Sequence, residues 1–285
     1  MLTGAQIDSY HKDGYLIVQN VLPTDEIEAL IRVTDRLLQQ ALYVQGHDDV
    51  FDVGPGHSPA TPRVRRIRHP NLVDPVYDRV LRHPAIHRIV EQLVGSSGIR
   101  YQETKLNVKA AGSGEPVEWH QDWAFVPHTN DDLLAVGIPL DDMTVENGCL
   151  RVVPGSHRAG IFDHHADGLF VGAVDPEPIR SVLETAVPIE VEAGGISIHH
   201  VRALHGSAPN PSHRSRRLYL LELGAADAWP LMGVDDLAEF DGRIVRGHPT
   251  IEPRVEPVPV RIPLPRRPAG SIYQLQESVP SSAFG

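Results

Sequence analysis

Residues 119–142 read WHQDWAFVPHTNDDLLAVGIPLDD, and this stretch sets the expectation for the fold. Its second half, 133–140, is an apolar run bounded by aspartates, which is typical of a short buried strand. Its first half places a histidine and an aspartate two positions apart, between two tryptophans. Because residues i and i+2 of a strand share a face, His120 and Asp122 are expected to point toward one site.

Other short segments after residue 100 have a similar character. They are alternating or rich in β-forming residues, and glycine, proline and aspartate separate them. Several short strands with turns between them predict a sandwich or barrel. The predicted strands are 101–109, 133–140, 187–191, 196–201 and 218–223.

The first 100 residues are predicted to be mainly helical. Apolar residues recur with helical spacing over 25–42, and Thr24 is a plausible N-cap followed by two acidic residues. A second helix is expected over 84–94, with Gly95 as its stop. A short strand is predicted over 15–21, before the first of these helices.

The domain organisation predicted from these patterns is a single domain over residues 1–285. It would combine mainly helical support over 1–100 with a β core over 101–224 that carries the metal site. Residues 249–268 contain seven prolines, which exclude a helix or a central strand. That segment is expected to be an extended arm lying over the body or part of a partner contact.

The composition excludes several classes of protein. The net charge is −11 and no coherent basic face is visible, which argues against binding to nucleic acid or an anionic membrane. Cys149 is the single cysteine, so that no internal disulfide can form and a reducing compartment fits. No window approaches the ~20 apolar residues of a membrane span, and the N-terminus lacks a signal-peptide pattern. We therefore expect a soluble cytoplasmic protein with a small-molecule substrate; the oligomeric state stays open.

His-x-Asp is a weak signal by itself, because about one occurrence is expected by chance in a chain of this composition. Only the pair at 120 and 122 combines a strand-rich setting with aromatic neighbours, Trp119 and Trp123, that would keep a site dry. The occurrences are His11/Asp13, His47/Asp49, His120/Asp122 and His165/Asp167.

The segment at 204–223, LHGSAPNPSHRSRRLYLLEL, supplies the remaining polar groups. His205 stands near its start, and Arg216 follows eleven positions later at the head of a β-forming run. Two histidines and a carboxylate on one face of an iron ion leave positions open for oxygen and a chelating co-substrate. The far carboxylate of 2-oxoglutarate requires a forked cation, which Arg216 provides, and Ser207 could donate a further hydrogen bond.

Four blocks of the sequence, in this order and spacing, resemble the phytanoyl-CoA dioxygenase family of iron(II)- and 2-oxoglutarate-dependent oxygenases. The resemblance spans roughly residues 2–224. It implies a mainly β fold with supporting helices, namely a double-stranded β-helix of the jelly-roll or cupin-like type. The blocks are LTGAQIDSYHKDGYLIVQNVLPTDEIEAL, WHQDWAFVPHTNDDLLAVGIPLDD, ENGCLRVVPGSH and HGSAPN followed by an arginine.

Carried over by position, the resemblance assigns the two motif residues and His205 as iron ligands and Arg216 as the co-substrate anchor. Lys105, on the preceding strand, matches a co-substrate contact more loosely. The chain departs from the family at Ile138, where a tryptophan beside the co-substrate is expected. This difference weakens the case for phytanoyl-CoA as the substrate.

The implied activity is oxidation, most simply hydroxylation, of an aliphatic C–H bond in a small molecule such as a secondary metabolite or an acyl-like compound. Fe(II), 2-oxoglutarate and O2 would take part, with release of succinate and CO2. Asp122 argues against a halogenase, which needs this carboxylate replaced to admit halide. The alternative is a non-catalytic cupin-like protein that binds a ligand or a metal.

Substrate contacts are assigned to Trp123, His128 and Asn130, although a core aromatic and a solvated loop are equally compatible with these residues. His199 and His200 follow one another on a predicted strand, so one of them must face inward. A core histidine with satisfied hydrogen bonds is the simpler interpretation of that residue.

Overall fold

The computed structural model describes residues 1–96, 98–269, 271–279 and 281–284. Two antiparallel β-sheets lie at its centre, with helices on the outer face of the larger one. The strands in this part of the chain are β1 (Tyr15–Val18), β2 (Phe51–Val53), β3 (Val64–Arg68), β4 (Ile99–Lys109), β5 (Val117–His120), β6 (Leu133–Pro139), β7 (Leu150–Val152), β8 (His165–Ala166), β9 (Leu169–Phe170), β10 (Val187–Ile189), β11 (Ile196–His200), β12 (His205–Ser207), β13 (Arg216–Ala225) and β14 (Ile244–Arg246).

The helices are short except for one. None of those described has both the length and the apolar character needed to cross a membrane. They are α1 (Gly4–Asp13), α2 (Thr24–Ala41), α3 (Pro70–Val73), α4 (Pro75–Leu81), α5 (Pro84–Val90), α6 (Arg180–Leu183), α7 (Leu237–Gly242) and α8 (Ile272–Gln276).

The larger sheet has the strand order β1-β11-β6-β13-β4-β3-β2, with β14 paired to β4, and the smaller sheet has the order β10-β7-β12-β5. Every pairing within them is antiparallel. This mainly β architecture with supporting helices confirms the predicted fold class. Non-sequential neighbours such as β6 and β13 show that long connections cross between distant parts of the chain, as a jelly roll requires.

Strand β6 shows why its sequence is apolar throughout. Leu134, Val136 and Ile138 join the core formed with the helices, which includes Leu30 of α2. Ala135 faces the other way, into a core between the two sheets. A strand that is covered on both faces needs apolar residues at consecutive positions, which explains the uninterrupted run.

The N-terminal region is less helical than the sequence predicted. Strands β2 and β3 extend the larger sheet there, and β3 was not recognised because its sequence, VRRIR, carries three arginines. Thr24 is the first residue of α2 and not its cap, since Pro23 occupies the N-cap position without a side-chain bond. The predicted helix over 84–94 ends earlier, at Val90.

Residues 249–268 form no helix and no ladder strand, and they run along the body of the protein. Glu256 N–H donates to Thr129 O at 2.9 Å. Arg254 forms ion pairs with Asp227 and Asp132. These contacts hold the proline-rich segment against the loop that follows the His-x-Asp motif.

Candidate active site

Two strands of the smaller sheet bring the motif residues together. β5 and β12 are antiparallel neighbours, and His205 lies directly opposite His120 across the pair. β5 ends at His120, and the chain then turns into a 3-10 helix, Asp122–Ala124. The carboxylate of Asp122 therefore reaches the two rings from a turn, whereas the sequence had placed it on the strand itself.

The ligand atoms of these three side chains all lie within 4.8 Å of one another. Asp122 Oδ1 is 3.5 Å from His120 Nε2, and Asp122 Oδ2 is 3.8 Å from His205 Nε2. In both rings Nδ1–H donates to a backbone carbonyl, Glu118 O at 2.7 Å and Ala203 O at 2.9 Å. These bonds fix the ring orientation and leave Nε2 as the nitrogen directed at the carboxylate.

The arrangement fits a metal ion. Burial, reinforced by His120 and His199, lowers the pKa of His205 well below its usual value, so that its Nε2 carries a lone pair at neutral pH. Lone pairs and carboxylate oxygens that face one another repel unless a cation lies between them. Two imidazoles and one carboxylate form the donor set of non-haem Fe(II) sites with open coordination positions.

His199, on β11, lies beside the carboxylate of Asp122. Its Nε2 is 3.3 Å from Asp122 Oδ2, and its ring centroid is 4.3 Å from that of His205. His199, not His200, is thus the inward-facing residue of this pair, and its contact with Asp122 could not be read from the sequence.

Two buried cations lie at one end of the cavity that contains the motif residues. Arg216 on β13 is directly opposite Lys109 on β4. Within the described parts of the chain neither forms an ion pair with a carboxylate. Arg216 Nη2 donates to Gly148 O at 3.0 Å while its Nε lacks a partner, and Lys109 Nζ donates to the carbonyls of Ser207 and Ala208. This end of the cavity is therefore suited to an anion.

Burial also sets the charge of this pair. It lowers the pKa of Arg216 to about 10, and burial together with Arg216 lowers the pKa of Lys109 well below its usual value. Arg216 remains charged at neutral pH. A bound carboxylate would favour the charged form of Lys109 as well, because an opposite charge nearby stabilises an ammonium group.

Lys105 lies four residues before Lys109 on β4 and therefore away from Arg216. It forms ion pairs with Glu222 and with Glu103. Burial raises the pKa of Glu222 to about 7, although Lys105 opposes this shift. A second cavity meets the first at Glu222, which lines both. The structure thus places Lys105 at the junction of the two cavities.

The three side chains suggested as substrate contacts lie outside the first cavity. Trp123 is fully buried, and its Nε1–H donates to Pro259 O at 2.8 Å. Asn130 is fully buried and donates to Arg254 O at 3.0 Å. His128 lines the second cavity. Of the three, only His128 is brought to one of these two cavities.

Three further residues that line the first cavity, Lys109, Arg66 and Tyr273, were not predicted from the sequence. For Lys109 a signal was present, because it shares a strand face with Lys105 in a segment predicted as β. The family resemblance predicts that Ile138 lies beside the co-substrate. It packs instead into the core on the helical side of the larger sheet, and so this departure from the family pattern does not alter the cavity.

Known proteins are similar to this chain over most of its length. The family model for phytanoyl-CoA dioxygenase matches residues 10–218. A probable alpha-ketoglutarate-dependent hypophosphite dioxygenase of Stutzerimonas stutzeri is 33% identical over 278 residues, which cover 95% of this chain and 96% of that protein. An L-proline trans-4-hydroxylase of Streptomyces griseoviridis is 29% identical, with 74% of this chain and 82% of that protein covered.

Solved structures confirm the fold. The crystal structure of EctD from S. alaskensis with bound Fe matches with a TM-score of 0.70 and 22% identity, covering 90% of this chain and 88% of that one. The epimerase SnoN in complex with Fe3+, alpha ketoglutarate and nogalamycin RO matches with a TM-score of 0.64 and 24% identity, covering 90% and 94%. At these identities the likeness concerns the fold alone.

Proposed function

Since this chain belongs to the phytanoyl-CoA dioxygenase family, we propose that it is an Fe(II)- and 2-oxoglutarate-dependent dioxygenase that hydroxylates a small molecule and releases succinate and CO2. One structural observation supports this most directly. A cluster of acceptor atoms from His120, Asp122 and His205 shares a cavity with two buried cations, Arg216 and Lys109, that lack an anionic partner among the described residues.

The three motif side chains would hold the iron. Bound iron would supply the activation of oxygen that amino-acid side chains cannot perform. The carbonyls of Glu118 and Ala203 keep the two imidazoles in the tautomer that presents Nε2. His199 supports the carboxylate of Asp122, as outer-shell partners of metal ligands commonly do.

Arg216 and Lys109 would hold the distal carboxylate of 2-oxoglutarate, with Ser207 lining the same end of the cavity. A guanidinium supplies parallel donors to a carboxylate, which fixes both the position and the orientation of the co-substrate. Its keto-acid end would then extend toward the motif residues. Leu218 and Leu220 add apolar surface to the cavity lining, which would help to keep water away from the keto-acid group.

The primary substrate would approach from the second cavity. This cavity meets the first at Glu222, close to the ion pair with Lys105, and His128 lines its far part. A polar substrate could replace part of that ion pair with its own charged or hydrogen-bonding groups. We therefore assign substrate orientation to Lys105 and Glu222, and we leave Trp123 and Asn130 as buried structural residues.

A second substrate class has its own support. The relative named for hypophosphite is similar over almost its full length. Hypophosphite has P–H bonds and no C–H bond, so that oxidation at phosphorus is the second candidate reaction. The non-catalytic alternative finds no support, because the proteins similar to this chain are named as oxygenases and hydroxylases.

Substrate-stimulated consumption of 2-oxoglutarate tests the proposal. The protein would be supplied with Fe(II), O2 and 2-oxoglutarate together with hypophosphite, L-proline, ectoine or short acyl compounds, one at a time. We expect at least one compound to raise succinate production well above the rate without substrate. Glu222→Gln should raise KM for that compound and leave the affinity for 2-oxoglutarate unchanged. No succinate under any condition would contradict the proposal.

A further inference from the structure

The C-terminal residues 271–279 and 281–284 are anchored on the strand that carries His120. Gln276 accepts a hydrogen bond from Glu118 N–H at 3.0 Å and donates to Gly172 O at 2.9 Å. Ala283 N–H donates to the carboxylate of Glu118 at 3.0 Å. The ring of Phe284 stacks on Trp119 with centroids 5.6 Å apart. Because most of these contacts are made to Glu118 and Trp119 of β5, the segment has a defined position beside the site.

Within this segment Tyr273, in helix α8, reaches the anion-binding end of the first cavity. Its side chain is 6% exposed, and it lines the cavity together with Arg216 and Arg66. The neighbouring Ile272 lines the same wall. The segment therefore forms part of the enclosure around the place where the distal carboxylate is proposed to bind.

The Tyr273 ring is held in position from its other side. The guanidinium of Arg65 lies 5.0 Å from its ring centroid, a cation–π distance. Arg65 is fixed in turn by two hydrogen bonds to the carboxylate of Glu115. The orientation of the Tyr273 ring thus depends on Arg65 and Glu115, neither of which lines the first cavity.

The hydroxyl of Tyr273 has no hydrogen-bond partner among the residues that the structure describes. Burial raises the pKa of Tyr273, although Arg66 and Arg216 oppose the shift, and so the phenol keeps its proton at neutral pH. A buried phenol normally finds a partner for its O–H. The guanidinium groups of Arg66 and Arg216 are donors and offer the phenolic O–H no acceptor. The carboxylates of Asp52 and Glu115 also act on the pKa of Tyr273, but neither forms a hydrogen bond with its hydroxyl.

We propose that the Tyr273 hydroxyl donates a hydrogen bond to the distal carboxylate of 2-oxoglutarate, alongside Arg216 and Lys109. Tyr273 would then be a positioning residue, and the C-terminal segment would complete the co-substrate site of the proposed dioxygenase. This inference rests on the proposed function. A carboxylate supplies the acceptor that both guanidinium and phenol require, and its two oxygens can serve three donors.

Tyr273→Phe removes only the hydroxyl and tests the assignment. Affinity for 2-oxoglutarate would be measured by calorimetry on the anaerobic Fe(II) protein. We expect the dissociation constant to rise about tenfold, the value for one lost hydrogen bond to a charged group. KM for 2-oxoglutarate should rise to a similar extent while kcat at saturation changes little. Tyr43→Phe, at an exposed position, should leave both quantities unchanged.

A second ligand separates a contact with the distal carboxylate from a general disturbance of the site. 2-Oxobutyrate has the same keto-acid end and lacks the distal carboxylate, so its affinity should be equal for wild type and Tyr273→Phe. An unchanged affinity for 2-oxoglutarate, or an equal loss for both ligands, would overturn the assignment. Wild-type protein that binds no 2-oxoglutarate would instead contradict the proposed function itself.

Discussion

Arg216 and Arg217 are neighbours in the chain, yet their guanidinium groups lie on opposite faces of the larger sheet. Arg216 is buried in the cavity, without a carboxylate partner in the described structure. Arg217 forms a two-pronged ion pair with Asp141, at 2.9 and 2.6 Å, and a further one with Asp35 of α2. The alternation of a strand gives the two side chains separate surroundings, the cavity for Arg216 and the acidic residues on the helical side of the sheet for Arg217.

The first prediction concerns these two arginines. Arg216→Ala should weaken 2-oxoglutarate binding by roughly 3–5 kcal/mol, because it would leave a buried carboxylate without its main partner. Iron binding should persist, since no ligand is removed. Calorimetric titration with 2-oxoglutarate, on protein whose Fe(II) content has been measured, would check both statements.

Arg217→Ala is the matched control. The sequence alone suggests that this change is silent, but the ion pairs with Asp141 and Asp35 predict a loss of folding stability of roughly 1–2 kcal/mol, between the values for exposed and buried pairs. Affinity for 2-oxoglutarate should not change. A loss of co-substrate affinity in Arg217→Ala together with normal binding by Arg216→Ala would contradict the assignment of the two faces.

Removal of the metal should abolish turnover and lower thermal stability. The acceptor atoms of His120, Asp122 and His205 repel one another when no cation lies among them, so the metal-free protein should unfold at a lower temperature. Dialysis against a chelator followed by thermal unfolding would show this shift, and Fe(II) should restore both stability and turnover. His205→Ala should lose the Fe(II)-dependent part of the shift; its retention would place the metal elsewhere.

The reaction outcome is predicted to be hydroxylation and not halogenation. In the proposed site the carboxylate of Asp122 would take the coordination position that a halide needs. Once a substrate is known, its product would be examined by mass spectrometry after reaction in chloride buffer. Chlorinated product from the unmodified enzyme would refute this prediction, and Asp122→Ala should lose hydroxylation.

The stability of the protein should fall with acidification, and His164 should contribute. Its Nδ1–H donates to Phe162 O and its Nε2 accepts from Gln121 N–H, so the buried ring fits only in its neutral form. Burial lowers its pKa from 6.5 to about 3. The unfolded chain therefore binds more protons below pH 6.5, and stability is lost from that pH downward, by about 2 kcal/mol at pH 5 for this one group.

Urea unfolding of metal-free protein between pH 7 and pH 4.5 would measure this effect. His164→Gln keeps an acceptor and a donor but cannot titrate, so its free energy of unfolding should fall less steeply with acidification than that of the wild type. Parallel pH profiles for the two proteins would show that His164 is not the group responsible.

The sequence predicted those parts of the site that lie on strands with a clear alternation. The face of β13 that carries Arg216 follows from its pattern, and the convergence of His120 with His205 follows from two motifs. Trp123 could not be placed in the same way, because the chain leaves the strand at the 3-10 helix and turns this side chain into the core. A residue next to a candidate metal ligand in the sequence need not line the pocket when the backbone turns between the two.

Other contacts between distant segments could not be predicted from the sequence. Tyr273 reaches the cavity from a helix of five residues near the C-terminus, and no local pattern connects it with Arg216, 57 positions earlier. Strand β3 carries Arg66 at a buried position where an apolar residue is usual, and for this reason the strand was not predicted from the sequence. Tyr273 and Arg66 can be recognised as cavity residues only in the folded protein, because segments that are distant in the sequence form the cavity.

Succinate formation from 2-oxoglutarate tests the central claim most directly. The wild-type protein, with Fe(II), O2 and isotopically labelled 2-oxoglutarate, would be followed by NMR beside Asp122→Ala. We predict that labelled succinate accumulates with the wild type only when both Fe(II) and O2 are present, and that Asp122→Ala forms none above the protein-free control. Equal rates for the two proteins, or no succinate from the wild type, would contradict the assignment of this site as the centre of a 2-oxoglutarate-dependent dioxygenase.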